Sequence, residues 1–270
     1  MKLFDLNGKV ALVTGGAGVL GSTMARSLAE AGVKVAILGR TAAKVEKKVA
    51  EFKDAGLTAM ALVADVLDQQ SLEKVRDQLT SEWGALHILI NAAGGNAPEA
   101  TIGPDMHPFD LSIEAFTRVN ALNLQGTVLP TLVFGPLMAK SGKSSIINIS
   151  SMASAQAITR VVAYSTGKAA IDNFTRWMAV ELARRHGAQI RVNAIAPGFF
   201  IADQNRRLLL EENGELTTRG KTIIDNTPMG RFGEAEELCG VIHWLSSDAS
   251  GFVTGTVIPI DGGFSAFSGV

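Results

Sequence analysis

The chain has 270 residues, 47% of them hydrophobic, and a formal net charge of −1. It is long enough to bury one sizeable core, and it lacks the basic surplus that binding to a nucleic-acid backbone requires. Its single cysteine, Cys239, excludes an intrachain disulfide and a cysteine-built metal site. The four histidines are not spaced as metal ligands, so we expect no metal site. Because the basic surplus is missing, we also expect no nucleic-acid partner.

The apolar run at the N-terminus ends at Thr14 and is too short for a signal peptide, which predicts a cytoplasmic protein. The stretch 119–139 imitates a membrane span because it carries no charged side chain. It contains Pro130, Pro136 and several amides, however, and these are costly in hydrocarbon. We therefore predict a buried helix there and no membrane partner.

The chain opens with a short apolar strand at 10–14, a glycine-rich turn at 14–21 and a helical pattern at 19–31. Glycines in such a turn let the backbone approach a pyrophosphate, and the helix N-terminus attracts its charge. A second strand at 33–38 follows at the spacing of a βαβ unit. The opening therefore predicts a dinucleotide-binding site.

The alternation of strand and helix continues to the end of the chain. Further strands are predicted at 58–64, 86–91, 145–149, 190–195 and 257–260, separated by helical patterns near 41–55, 69–83, 112–139, 162–186 and 234–247. Seven buried strands with helical crossovers predict an α/β protein with a single-domain Rossmann fold, a doubly wound seven-stranded parallel sheet with helices on both faces. One domain would then span 1–270, and the irregular segment at about 198–228 would be a substrate lid.

Tyr164 and Lys168 are four residues apart in the helical pattern at 162–186, so they share one face of that helix. A free tyrosine titrates near pH ~10, and a neighbouring ammonium lowers this pKa by favouring the phenolate. Ser151 follows the predicted strand at 145–149 and would lie beside Tyr164 at the carboxyl edge of the sheet. The alternative is a solvated helix face, since this spacing is common. We favour a proton-transfer site because the chain has one tyrosine and the dinucleotide-binding opening precedes it.

These features resemble the classical short-chain dehydrogenase/reductase family over nearly the whole chain. The motifs that carry the resemblance occur in order: the glycine turn at 14–21, Asp65-Val66, Asn91-Ala92-Ala93-Gly94, Asn123-Leu124-Gln125-Gly126, Ser151, Tyr164-x-x-x-Lys168, Pro197-Gly198 and Asp261-Gly262-Gly263.

The resemblance implies a role for each of four polar residues. Tyr164 would be the general acid/base and Ser151 would orient the substrate carbonyl. Lys168 would lower the tyrosine pKa and hold the nicotinamide ribose, and Asn123 would position a water behind the lysine. Asn120 is a rival for the last role. A non-catalytic sensor on the same fold would not need all four residues, which favours an enzyme.

The resemblance also implies a set of cofactor contacts. These are Gly15, Gly18, Val19, Leu20, Gly21, Asp65, Val66, Asn91, Ala92, Gly94, Tyr164, Lys168, Pro197 and Gly198. The chain departs from the family pattern at Val19, where a glycine is usual. A further contact follows from the second strand, which ends at Arg40 without a carboxylate for the ribose hydroxyls. Arginine suits a 2′-phosphate, so NADP(H) is favoured, while NAD(H) is possible and Arg40 could simply cap the strand.

Two helical patterns, 112–139 and 162–186, are apolar on more than one face. The apolar residues are Leu129, Leu132, Val133, Phe134, Ile171, Phe174, Trp177 and Met178. The excess over a single buried stripe predicts burial against another subunit. The family resemblance implies that this assembly is a homodimer, often doubled to a homotetramer. The apolar chain end, 264–267, would also reach a neighbouring subunit.

The segments expected to line the substrate pocket are polar. Their polar side chains are Asn96, Gln156, Arg160, Gln204, Asn205, Arg206 and Arg207, of which Asn96, Arg160, Asn205 and Arg206 are the predicted substrate contacts. Such a lining suits a small polyhydroxylated anion, with Arg160 holding a carboxylate. A surface salt bridge is the alternative role for any one of these arginines.

A closer resemblance, to the sugar-acid branch of the family, favours one substrate. It rests on GGAGVLG, NAAGGN, TRVVAYS, APGFFIADQNRRLL, TPMGRFG and DGGFSAFSGV. It implies reduction of D-fructuronate to D-mannonate. Gluconate 5-dehydrogenase and 3-oxoacyl carrier-protein reductase activities are the alternatives.

Overall fold

The computed structural model describes residues 2–202 and 205–269. Its seven strands form one parallel sheet in the order β3-β2-β1-β4-β5-β6-β7. The strands are β1 (Val10–Thr14), β2 (Lys34–Gly39), β3 (Ala59–Val63), β4 (Ile88–Asn91), β5 (Ser144–Ile149), β6 (Ile190–Pro197) and β7 (Val257–Ile260). The helices are α1 (Val19–Glu30), α2 (Ala42–Asp54), α3 (Gln69–Trp83), α4 (Ile113–Ser141), α5 (Val162–His186), α6 (Arg206–Leu209), α7 (Thr218–Asp225) and α8 (Cys239–Ser246).

The strand order reverses at β1, which pairs in parallel with both β2 and β4. In an open parallel sheet this reversal creates a crevice at the carboxyl ends of the strands, where ligands bind. The predicted fold is therefore confirmed, with strand bounds that differ from those predicted by one or two residues. The helix predicted at 234–247 is divided into a 3₁₀ turn at Ala235–Leu238 and α8.

Alternate residues of β1 point to opposite faces of the sheet and enter two separate cores. Val13 packs with residues of α1, α2 and α8, whereas Leu12 packs with residues of α3, α4 and α5. Both side chains are fully buried. Each face of the sheet is thus sealed by three helices, and only its carboxyl and amino edges are left for ligands.

The segment that follows β6, predicted to be irregular, contains two short helices, α6 and α7. Thr217 caps α7 by accepting a hydrogen bond from the Gly220 amide. A Cβ at Gly220 would lie 2.3 Å from the Leu209 carbonyl oxygen, so this glycine allows α7 to approach α6 closely. The Thr-x-x-Gly pattern was the sequence signal for the start of α7 that the analysis missed. The role of the segment as a lid stays a prediction.

The apolar excess that suggested an oligomer is smaller than predicted. Val133, Phe134, Ile171 and Met178 are buried in the core of their own chain. The predicted excess was wrong for these residues because α4 and α5 pack on each other as well as on the sheet. Leu129 and Phe174 are partly buried against the same core. Leu132 and Trp177 are each more than half exposed, as is Val180 on α5.

The chain end folds back on its own subunit instead of extending away from it. The Phe264 ring meets the Phe199 ring edge to face, with 5.4 Å between centroids. Among the residues that the structure describes, no helix is long and apolar enough to cross a membrane.

Candidate active site

Tyr164, Lys168 and Ser151 meet at the carboxyl edge of the sheet. Ser151 lies just beyond β5, and Tyr164 and Lys168 lie one turn apart in α5. The Lys168 Nζ is 5.4 Å from the centroid of the Tyr164 ring. The predicted grouping of these three side chains is therefore observed, and it arises because β5 runs directly into α5 through a short loop.

The Ser151 side chain is buried and has two polar neighbours. Its Oγ accepts a hydrogen bond of 3.2 Å from the Ala153 amide, which fixes the turn after β5. It also hydrogen-bonds to the Tyr164 hydroxyl. Burial raises the pKa of Tyr164, and the hydrogen bond from Ser151 offsets part of this rise.

Lys168 is buried, and burial lowers its pKa to about 8, against the opposing influence of the Asp172 carboxylate. Its Nζ donates a hydrogen bond of 2.6 Å to the Ile149 carbonyl. That Lys168 lowers the Tyr164 pKa stays a prediction, since burial and Ser151 are the influences on this pKa in the present arrangement. The ammonium is directed to a strand carbonyl and not to the phenol oxygen, so desolvation determines the tyrosine pKa.

Asn123, in α4, lies directly beside Lys168. A Cβ built on Gly94 would be 2.7 Å from the Asn123 Oδ1 and 3.4 Å from the Lys168 Nζ, so only glycine fits between them. The Asn123 amide donates to the carbonyls of Gly95 and Val119, at 2.8 Å each. These bonds place Asn123 within the site, while its part in positioning water stays a prediction.

Asn120, the rival of Asn123, lies at a different contact. Its amide donates a hydrogen bond of 3.1 Å to the Thr166 hydroxyl and so joins α4 to α5. It is more exposed than Asn123 and does not contact Lys168 in this arrangement. The position of Asn123 therefore supports the original preference.

The glycine turn between β1 and α1 has the shape that a dinucleotide requires. Gly15 has a φ of 63°, and a Cβ on Gly21 would lie 2.4 Å from the Gly15 carbonyl oxygen. Gly18 precedes α1 and supplies no side-chain cap, so the first amides of α1 are open to an anion. Val19 and Leu20 are the first two residues of that helix, and their side chains do not close the turn.

Thr14 organises the neighbouring loop, and its role was missed by the sequence analysis. Its Oγ1 accepts hydrogen bonds of 3.1 Å from the amides of Ala92 and Ala93. This links the end of β1 to the end of β4 across the crevice. A threonine that ends a buried strand before a glycine turn was the available signal.

The side chain of Asn91 is directed away from the crevice, and contact of this residue with the cofactor stays a prediction. It is buried, and its amide donates to the Thr131 hydroxyl and the Asn148 side chain, at 3.0 and 2.9 Å. Asn91 therefore ties β4 to β5 and α4. It points into the structure because it lies within the strand and not beyond its end.

The other predicted cofactor residues border the same crevice. Asp65 lies on the surface with its Oδ2 3.9 Å from the Arg40 Nη1, and Val66 is buried against Gly126 of α4. Pro197 ends β6, and the Gly198 amide donates to the Ile260 carbonyl at 2.9 Å. Their contacts with a cofactor stay predictions.

Ser151 and Tyr164 open on a cavity of about 600 Å³. The wall of this cavity is mainly apolar, so the polar lining predicted from the sequence was wrong as a description of the whole pocket. Of the predicted substrate residues, Asn96, Arg160 and Asn205 line it. Arg206 does not line the cavity in this arrangement, whereas the neighbouring residue of α6, Arg207, does, so substrate contact by Arg206 stays a prediction.

Two glutamines, Gln156 and Gln204, were also predicted to line the pocket. Gln156 is not part of the cavity wall, since its amide donates to the Ser265 carbonyl at 3.1 Å. Gln204 lies outside the described residues. Arg219 of α7 lines the cavity but was not predicted, because α7 itself was not predicted.

Comparison with known proteins places the chain among oxidoreductases. A family model described as Enoyl-(Acyl carrier protein) reductase matches residues 15–265. The uncharacterized oxidoreductase UxuB of Bacillus subtilis is 47% identical over 275 residues, which cover 98% of each protein.

Two solved structures share the fold closely. A candidate D-mannonate oxidoreductase from Haemophilus influenzae with bound NAD is 42% identical, with a TM-score of 0.92 and 98% of each chain covered. A gluconate 5-dehydrogenase from Burkholderia cenocepacia in complex with NADP and tartrate is 31% identical, with a TM-score of 0.86 and 98% of each chain covered.

The sheet, its glycine turn and these similarities define an oxidoreductase that uses a nicotinamide dinucleotide. The chain belongs to the short-chain dehydrogenase/reductase family.

Proposed function

We propose that this enzyme reduces the ketone of D-fructuronate to give D-mannonate, and catalyses the reverse oxidation. The observation that carries the proposal is the cavity in front of Ser151 and Tyr164. Three arginines, Arg160, Arg207 and Arg219, line it, and no aspartate or glutamate does so within 2–202 and 205–269. Such a wall attracts an anion, as a sugar acid is at neutral pH.

Asn96 supports a polyhydroxylated substrate. Its amide nitrogen donates to the Thr101 hydroxyl at 2.7 Å, while its Oδ1 is buried without a hydrogen-bond partner in the described part of the chain. A buried acceptor of this kind is costly unless it is paired. A substrate hydroxyl entering the cavity would donate to it.

In this mechanism Tyr164 donates its phenolic proton to the carbonyl oxygen of the substrate during reduction. The Ser151 hydroxyl hydrogen-bonds to the same oxygen and holds the carbonyl against the phenol. Because burial raises the pKa of Tyr164, the phenol is protonated at neutral pH and ready to act as the acid. In the oxidation, the phenolate that forms is stabilised by Ser151 and by the nearby positive charge of Lys168.

The residues present fit a dinucleotide. The open amides at the start of α1 and the glycine turn would hold the pyrophosphate, Lys168 would hold the nicotinamide ribose, and Arg40 would approach the adenosine ribose. When bound, the dinucleotide supplies the hydride for reduction and accepts it in oxidation.

We further propose that NADP(H) is preferred, with NAD(H) also used. Arg40 lies at the end of β2 with its side chain mainly exposed, and a 2′-phosphate would match its charge. Asp65 opposes this preference, because its carboxylate lies 3.9 Å from the Arg40 Nη1 and partly neutralises it. The two relatives of known structure divide in the same way, one with bound NAD and one with NADP.

Oxidation of D-gluconate at carbon 5 is the second candidate activity, favoured by the similarity to a gluconate 5-dehydrogenase. D-Fructuronate is D-mannonate oxidised at carbon 5, so it and 5-keto-D-gluconate differ only in configuration at carbon 2. Both would present a ketone to Tyr164 and a carboxylate to the arginines. A 3-oxoacyl thioester has no carboxylate, and the charged cavity favours it least.

The test is a side-by-side assay of D-fructuronate, 5-keto-D-gluconate and an acetoacetyl thioester, followed by the absorbance of the reduced nicotinamide. We expect D-fructuronate to have the highest kcat/KM. Tyr164→Phe should reduce kcat by about 10²–10⁴-fold with cofactor affinity retained, because only the ionisable hydroxyl is lost. A higher kcat/KM for either competing substrate, or a Phe variant with near-normal kcat, would contradict the proposal.

A further inference from the structure

We infer that Arg160 and Arg219 together form the carboxylate subsite of the active-site cavity, and that Arg219 of α7 selects anionic substrates. This inference rests on the proposed function, since it assigns one end of the sugar acid to a place in the same cavity. Arg160 precedes α5, which carries Tyr164, whereas Arg219 comes from the segment after β6. The subsite is therefore assembled from two separate parts of the chain.

Arg219 is held against the loop that contains Arg160. Its Nη1 donates to the Thr159 hydroxyl at 3.2 Å, and its Nη2 lies 3.4 Å from the Thr159 carbonyl, to which it also donates. Both arginines line the cavity that contains Tyr164 and Ser151. The contacts with Thr159 use only some of the five donors of the guanidinium, so others are left for a ligand.

The two guanidinium groups are close enough to repel each other. Burial lowers the pKa of Arg219, and the charge of Arg160 lowers it further. Neither arginine forms a salt bridge with an acidic residue in the described ranges. Two cations at one cavity without an acidic partner are unfavourable, and a substrate carboxylate bound by both would relieve the repulsion and accept charge-assisted hydrogen bonds.

The backbone of Arg160 is held in a conformation that arginine rarely adopts. Its φ of 77° is the one positive value at a non-glycine position among the described residues. The Arg160 carbonyl accepts a hydrogen bond of 3.0 Å from the amide of Ile102, which also lines the cavity. A left-handed conformation is unfavourable for a residue that is not glycine, and such strain is concentrated at functional sites. Glycine would remove the strain, but it would also remove the guanidinium.

The position of this subsite determines where the cavity can distinguish D-mannonate from D-gluconate. When carbon 5 of a hexonate reacts at Tyr164, carbon 1 is bound by the arginines, and carbon 2 lies next to the bound carboxylate. D-Mannonate and D-gluconate differ only at carbon 2. The arginine end of the cavity is therefore the place where the two sugar acids must be distinguished.

The test compares Arg219→Gln with the matched control Lys221→Gln. Lys221 is also on α7, but it is exposed and does not line the cavity. Each variant is assayed with D-mannonate, with D-gluconate and with the neutral polyol D-mannitol, and binding of the two anions to the cofactor-free protein is measured by calorimetry. The double variant Arg160→Gln/Arg219→Gln tests whether the arginines act as one unit.

For Arg219→Gln we expect a loss of about 10- to 100-fold in kcat/KM and in affinity for the sugar acids, the size usual for charge-assisted hydrogen bonds. We expect the wild type to oxidise D-mannitol weakly, and Arg219→Gln should change that rate little. Lys221→Gln should match the wild type with all three substrates. The double variant should lose less than the product of the two single losses.

Two results would overturn the subsite. One is an equal loss for the neutral polyol and the anions, and the other is unchanged sugar-acid binding in Arg219→Gln. Failure of the proposed function is distinguished by the wild type. If it oxidises neither anion yet binds one through Arg219, the function fails and the subsite stands. If the wild type binds neither anion, the subsite fails as well.

Discussion

The Ser150 hydroxyl donates a hydrogen bond to the Asp172 carboxylate, directly behind the catalytic lysine. Ser150 follows Ile149, whose carbonyl accepts the hydrogen bond of Lys168, and Asp172 lies one turn beyond Lys168 in α5. Asp172 is buried, and its charge raises the pKa of Lys168 against the effect of burial. It thus holds β5 and α5 together and keeps the lysine charged.

The first prediction is that Asp172→Asn moves the alkaline limb of the pH–kcat/KM profile to lower pH. Burial already lowers the Lys168 pKa to about 8, and loss of the Asp172 charge removes the influence that raises it. The lysine of the variant therefore loses its proton at a lower pH, and activity that depends on the ammonium declines earlier. The profile is recorded at saturating cofactor from pH 6 to 10.

Asparagine retains an oxygen that can accept the Ser150 hydrogen bond, so Asp172→Asn tests charge more than packing. Asp77→Asn is the control, since Asp77 is an exposed residue of α3 paired with Arg76. An alkaline limb that stays in place or moves to higher pH would show that Asp172 does not act on Lys168.

The second prediction concerns the ionisation of Tyr164, which is the only tyrosine in the chain. Burial raises its pKa, so the tyrosinate absorbance of the cofactor-free protein should develop above the ordinary value of about 10. In Ser151→Ala it should develop at still higher pH, because the hydrogen bond that lowers the pKa is lost. Ultraviolet titration measures the tyrosinate absorbance, and circular dichroism checks that the protein remains folded. A tyrosinate signal near neutral pH would contradict this prediction and would support a lowering of the Tyr164 pKa by Lys168.

The third prediction concerns cofactor choice. Asp65→Asn should increase the ratio of kcat/KM for NADPH to that for NADH, because it removes the carboxylate that partly neutralises Arg40. Arg40→Asp should reverse the ratio, since it replaces the cation by a group that repels a 2′-phosphate. Steady-state kinetics with both cofactors measure the ratio. A wild-type preference for NADH, or an Arg40→Asp variant with an unchanged ratio, would reject the proposed role of Arg40.

The fourth prediction concerns assembly, which we propose to involve the exposed side chains of Leu132, Trp177 and Val180 on α4 and α5. Trp177→Lys places a charge within this apolar patch and should shift the protein to smaller species in light scattering at micromolar concentration. Val63→Lys is the control, because Val63 is an exposed apolar residue of β3 on the far edge of the sheet. A monomeric wild type would contradict the proposed oligomer.

The sequence was sufficient for the sheet and for the grouping of Ser151, Tyr164 and Lys168, because both depend on local patterns. Continuous apolar runs marked the buried strands, and the spacing of Tyr164 and Lys168 marked one helix face. The direction of the Tyr164 pKa shift was not predictable in this way. It depends on how deeply the phenol is buried and on the acceptor that Lys168 finds at Ile149, which are properties of packing.

The pocket wall was predicted less well for a related reason. Arg206 and Arg207 are neighbours, and a short helix turns only one of them toward the cavity. Arg219 reaches the site because α7 packs closely on α6 at Gly220. Neither orientation follows from composition, since an irregular segment has no periodicity that reveals its inner face.

The separation of Tyr164 and Lys168 from Arg219 has a consequence for how this protein can acquire new specificity. The proton-transfer groups belong to β5 and α5, which are anchored in the core, whereas Arg207 and Arg219 belong to the stretch after β6. A graft that exchanges this stretch for that of another relative would alter the recognised molecule without disturbing the reacting groups. Relatives can therefore evolve a new substrate preference by changing the stretch after β6. The sheet and α5, which hold the reacting groups, stay the same.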